Sequence, residues 1–116
     1  MTAVLAALVM ALGAGPAQSA STHNCSLSEA DAQPSSGKPE YNQKLTQKAS
    51  SCTTAKKVMK SFHSCRSRTG IKCTHKVRTN WTCTSKKTLS SSTQFYATTT
   101  CKWGARVVKI SWVQAT

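Results

Sequence analysis

Six cysteines, Cys25, Cys52, Cys65, Cys73, Cys83 and Cys101, all lie downstream of an apolar amino-terminal run, and this constrains the fold more than any other feature. An even cysteine set behind an export-type leader reads as a disulfide framework, because exported compartments are oxidising and a small core needs cross-links. For a domain this short, hydrophobic burial and chain entropy nearly cancel, and each bridge adds about 2–4 kcal/mol. Zinc is disfavoured by spacing: there is no Cys-x-x-Cys pair, and His23, His63 and His75 are scattered. No metal or cofactor is expected. Six cysteines allow many connectivities, and proximity favours Cys65 with Cys73, Cys83 with Cys101, and Cys25 with Cys52. Exchanging the partners of Cys73 and Cys83 suits a sheet almost as well.

The leader runs from Met1 to about Ala20, with an apolar stretch from Ala3 to Leu12 followed by Gly13, Gly15 and Pro16. Ala17-Gln18-Ser19 and Ser19-Ala20-Ser21 are two registers of a small-x-small cleavage site, so residues 1–20 are expected to be a signal peptide and the protein to be secreted. No Lys or Arg precedes the apolar run. The run is shorter than the 20 or so apolar residues of a membrane span, and no second one follows, so no transmembrane segment is expected in the mature chain.

The formal charge is +13, and its distribution says more than its size. Glu29, Asp31 and Glu40 are the only acidic residues, and all but Lys38 of the 16 Lys and Arg follow Glu40. Cations without carboxylates among them set up a one-signed field that attracts polyanions, a cell-wall polymer or nucleic acid. The same charge also serves solubility.

Composition divides the chain at about residue 45. Residues 21–45 are rich in Ser, Ala, Gln, Pro and Lys and show no apolar period, so they read as a flexible leader tied down by Cys25. Residues 46–116 read as one disulfide-stapled domain. Cys52, Ala55, Val58, Met59, Phe62 and Cys65 recur at three- and four-residue spacing, the apolar stripe of a helix capped by Ser50 or Ser51. Its other side carries Lys56, Lys57, Lys60 and His63. Beyond Gly70 the period shifts toward two and Thr, Val and Trp accumulate. Ile71–Arg78 and Trp81–Lys86 are expected to form a hairpin about Thr79-Asn80. Thr88–Thr93 reads as a loop, and a second hairpin turns at Gly104 between strands bearing Phe95 and Trp112. The expected fold is α+β: one N-terminal helix packed on an antiparallel sheet of about four strands, disulfide-stapled, with Trp112 in the core and Trp103 the most exposed tryptophan.

Ser51-Cys52-x-x-Ala55-x-x-Val58, then Trp81-x-Cys83, then Thr100-Cys101-Lys102-x-Gly104 with Val107-Val108 and a closing Trp112, resemble small secreted cysteine-containing proteins of actinobacteria, a largely uncharacterised group. The likeness spans about Ser51 to Trp112. It implies an exported, disulfide-bonded domain and carries no activity with it.

Catalysis by a carboxylate pair or a Ser-His-Asp triad is excluded from the domain, which has no side-chain carboxylate after Glu40. One enzymatic alternative survives, a small ribonuclease-like toxin using His63 and His75 as base and acid beside Lys or Arg. Another class is a secreted inhibitor presenting the Thr88–Thr93 loop. The residues ranked first are those of a polyanion-binding face, Lys56, Lys57 and Lys60 on the helix with Arg66 and Arg68 just beyond it, acting in a monomer.

Overall fold

The computed structural model describes residues 20–33, 40–66 and 70–115; the expected signal segment up to residue 19 and the candidate Arg68 lie outside them. In chain order the elements are β1 (Thr22–Cys25), α1 (Glu29–Ala32), β2 (Glu40–Lys48), α2 (Cys52–Cys65), β3 (Thr82–Ser90), β4 (Gln94–Trp103) and β5 (Arg106–Ala115). The strands form one antiparallel sheet in the order β1-β2-β5-β4-β3, and α2 packs on one of its faces.

The apolar stripe of α2 buries Ala55, Val58, Met59 and Phe62. Ser51 caps the first turn by accepting the Thr54 N–H at 3.1 Å, worth about 1 kcal/mol. Opposite it, β4 and β5 alternate without interruption, so Phe95, Ala97, Thr99 and Cys101 face the helix beside Val108, Ile110 and Trp112. Trp112 is the centre of this layer, meeting Phe62 at 6.0 Å and Phe95 at 5.6 Å between ring centroids, both edge-on. Its indole N–H donates to Thr99 Oγ1 at 3.0 Å, which satisfies the one polar atom that the ring takes into the core.

Three disulfides staple the layers: Cys25–Cys52, Cys65–Cys73 and Cys83–Cys101. They are the pairs favoured by proximity, and no described cysteine is free. The first two fix α2 at its first and last residues, while the third links directly opposed positions of β3 and β4. Gly104 turns the β4–β5 hairpin at φ +60°, a conformation glycine adopts without a Cβ penalty.

Five expectations need correction. The sheet has five strands rather than about four, and its main helix is not the N-terminal element, because the segment read as a flexible leader holds β1, α1 and the first two thirds of β2. The residues of β2 that face the helix are Glu40, Asn42, Leu45 and Gln47, mostly polar, and a bulge between Asn42 and Lys44 switches the inward parity halfway along. No apolar alternation survives in such a strand.

Ile71–Arg78 is not a strand either. Cys73 is held at the end of α2, so only the bridge between Val77 and Trp81 remains of the expected hairpin, with Arg78 and Thr79 at positive φ between them. Finally, β3 runs through Thr88, Leu89 and Ser90, and the expected loop shrinks to a short turn at Ser91–Thr93.

Candidate functional site

The helix side expected to bind polyanions is partly neutralised, because Lys56 and Lys60 share one carboxylate. Lys56 Nζ lies 3.0 Å from Asp31 Oδ2 and Lys60 Nζ 3.7 Å from Asp31 Oδ1. Asp31 is held in α1 by a capping box, accepting the Ser28 N–H at 3.1 Å while its own N–H donates to Ser28 Oγ. The Ser28 N–H first, then Lys56, outweigh the cost of burial and lower the Asp31 carboxyl from 3.8 to about 2. The segment that carries it is itself anchored, since Asn42 Nδ2 donates to the Asp31 carbonyl at 3.0 Å. Of the five expected binding residues, only Lys57 stands exposed with no ion pair among the described residues.

Arg66 is withdrawn altogether. It is 5 % exposed and turns beneath the sheet, where Nη2 donates to Glu40 Oε1 at 3.0 Å, Nη1 to the Gly70 carbonyl at 2.9 Å and Nε to His63 Nδ1 at 2.9 Å. Its guanidinium stacks 4.2 Å from the centroid of the Trp112 ring. Burial pushes the Arg66 pKa down and the Glu40 charge works against that shift.

His63, expected on the solvated side, belongs to the same buried cluster at 3 % exposure. Nδ1 accepts from Arg66, so Nε2 carries the proton and donates to Asn42 Oδ1 at 2.7 Å. Both ring nitrogens are occupied and the ring packs edge-on against Trp112 at 4.9 Å. His75 sits outside, exposed, with Nδ1 3.7 Å from Cys65 Sγ. An acid and a base of a nuclease must face one phosphate, and a histidine enclosed in this way presents nothing to it.

The Cys65, Cys73 and His75 donor atoms lie within 4.8 Å of one another, a spacing a metal ion would accept. Both sulfurs are joined in a disulfide and offer no thiolate, which leaves His75 as the sole conventional ligand of the group.

The opposite face of the sheet is different. Register and alternation order its outward side chains into rows across the strands. One row reads Thr22, Lys48, Val107, Lys102 and Thr82. The next reads Asn24, Thr46, Lys109, Thr100 and Thr84. A third reads Lys44, Ser111, Thr98 and Lys86. All of the first two rows except Thr82 and Asn24 line a shallow concavity of about 510 Å³.

Lys44, Lys86, Lys102 and Lys109 are exposed and Lys48 half-buried, and none forms an ion pair among the described residues. Of the three acidic residues, Asp31 and Glu40 are committed on the helix side and Glu29, in α1, lines a pocket with Tyr41 at the β2 side of the sheet, so no acidic side chain stands within the three lysine-bearing rows. Lys48 and Lys102 are two strands apart, roughly 10 Å. At that distance in water their mutual repulsion is about 0.4 kcal/mol before screening, so the sheet tolerates the cluster.

This face escaped the sequence reading although its signal is present. Lys44-x-Thr46-x-Lys48, Thr98-x-Thr100-x-Lys102 and Thr82-x-Thr84-x-Lys86 are period-two repeats of Lys and Thr, the polar complement of an amphipathic strand. Attention to inward apolar residues passes over them. The tryptophans fall as expected: Trp112 is fully buried, while Trp103, 41 % exposed, stacks under Arg106 at 4.5 Å.

No known protein family, curated protein or solved structure matches this chain. Among the described residues no helix is long and apolar enough to cross a membrane.

Proposed function

We propose that this is an exported cationic protein, of the kind its Cys-x-x-Ala-x-x-Val and Trp-x-Cys motifs resemble in actinobacteria, and that it binds polyanions through the outer face of its sheet. The observation that carries the reading is the set of Lys44, Lys48, Lys86, Lys102 and Lys109 on one antiparallel face without a carboxylate among them. Threonine and serine hydroxyls between the lysines supply donors to phosphate oxygens without adding charge. Three disulfides and the absence of a spanning helix among the described residues fit secretion.

The test compares two triple substitutions in titrations of duplex DNA over a salt series. Lys48→Gln, Lys102→Gln and Lys109→Gln together should flatten the slope of log affinity against log salt by about two to three units. Lys56→Gln, Lys57→Gln and Lys60→Gln together should change it by less, at most about two units, since the single Asp31 carboxylate offsets one of these three charges. Equal effects of the two sets, or binding that salt leaves unchanged, would reject the sheet face as the site.

A further inference from the structure

The outer sheet face has a fourth row, and it is apolar. Tyr41 on β2 pairs with Val113 on β5, Val113 with Tyr96 on β4, and Tyr96 with Leu89 on β3. Tyr41 is 45 % and Leu89 65 % exposed, while Val113 and Tyr96 are half-buried between them. Single exposed apolar residues are ordinary on any protein surface. Four in register across four strands form a continuous strip, and such strips mark contact surfaces.

The strip borders the cationic rows. Lys44, Ser111, Thr98 and Lys86 occupy the neighbouring row, about 7 Å away along the strands. Tyr41 and Tyr96 stand two strands apart, roughly 10 Å, with the smaller Val113 between them. Gln94 Nε2 donates to the Tyr96 hydroxyl at 3.1 Å and holds that ring in place, so less side-chain freedom is lost when a partner packs on it.

Resting on the polyanion reading above, we propose that the ligand of this face is single-stranded nucleic acid, its bases stacked on Tyr41 and Tyr96 and its phosphates on Lys44, Lys86 and the lysines beyond. Charge alone suits any polyanion, but a row of rings and aliphatic side chains beside a row of cations matches a polymer that alternates flat apolar groups with phosphates. A base enclosed in a duplex cannot lie on these rings, whereas an unpaired base exposes its face. A cell-wall polyphosphate would use the lysines and gain nothing from the tyrosines.

The deciding experiment measures binding of three probes of matched length by fluorescence anisotropy: an oligothymidylate, the corresponding abasic deoxyribose-phosphate chain, and duplex DNA. The oligothymidylate should bind more tightly than the abasic chain by about five- to 150-fold for each stacked base. Tyr41→Ala and Tyr96→Ala should each erase much of that advantage while leaving abasic affinity unchanged, and Tyr→Phe at either position should retain it.

Equal, salt-sensitive binding of thymidylate and abasic chains would overturn this inference and leave the polyanion reading standing. Failure of all three probes to bind would reject nucleic acid here, and failure of inorganic polyphosphate as well would remove the polyanion reading. The unmodified protein alone gives this comparison, so its outcome does not depend on how well a Tyr96 variant folds. A thymidylate preference abolished by Trp103→Ala and untouched by the tyrosine changes would place the stacking elsewhere. Tighter capture by anionic phospholipid vesicles than by oligothymidylate would replace the nucleic acid with a membrane surface.

Discussion

The two faces of this sheet carry the same kind of side chain to opposite ends. Under the helix, cations are paired: Lys56 and Lys60 with Asp31, and Arg66 with Glu40 in a cluster that also holds His63 and Asn42. On the outer face five lysines stand without carboxylates, interleaved with Thr and Ser. With only three acidic residues in the chain, where they are committed decides which cations remain able to attract a ligand. Two are committed to the helix side, both of them buried. A positive charge is thus informative about binding only after its partners are known, and in this protein the partners come from a segment whose composition reads as disordered.

The sharpest way to break the contrast is to remove the buried cation. Arg66→Met leaves Glu40, 1 % exposed, without its ion-pair partner and should cost about 3–5 kcal/mol in urea unfolding with the disulfides intact. A loss below about 1 kcal/mol would mean that the cluster does not hold α2 on the sheet.

Next in size is the tether that brings the acidic segment to the helix. Cys25 and Cys52 are 27 positions apart, and replacing both by Ser should cost about 3–4 kcal/mol on the loop-entropy estimate. The same variant should bind duplex DNA with a steeper salt dependence, because Lys56 and Lys60 lose the one carboxylate they share. An unchanged slope would show that α1 stays docked without the bridge.

The smallest effect concerns Asp31 itself. Asp31→Asn should cost about 1–2 kcal/mol, since the carboxylate loses its advantage at the Ser28 N–H as well as its ion pairs, and should raise polyanion affinity. A carboxyl lowered from 3.8 to about 2 stabilises the folded state fully above its unfolded value, and that contribution is lost as pH falls through the folded one. Acid unfolding between about pH 4 and pH 2 should therefore be less steep in Asp31→Asn than in the unmodified protein. Superimposable acid limbs would show that Asp31 does not secure α1.

Much of the domain is legible from local pattern. The stripe of α2, the alternation of β4 and β5, the turn at Gly104 and the burial of Trp112 each follow from residues within one element, where the chain's own period states which side is apolar. The cationic balance and the even cysteine set are likewise fixed by composition, whereas cysteine proximity along the chain favours the three pairings without excluding an exchange between Cys73 and Cys83, which only the fold decides. What local pattern misread has a common cause. In β2 the inward Glu40 and Asn42 have no apolar signal, because their burial is made tolerable by Arg66 and His63, more than 20 positions away. Ile71–Arg78 has the alternation of a strand, yet Cys73 is drawn to α2 and the segment leaves the sheet. Sequence determined how many cations the protein has and that few acids oppose them. Only the tertiary structure decided which lysines are left over, because an ion pair is a relation between positions that the fold alone brings within 4 Å.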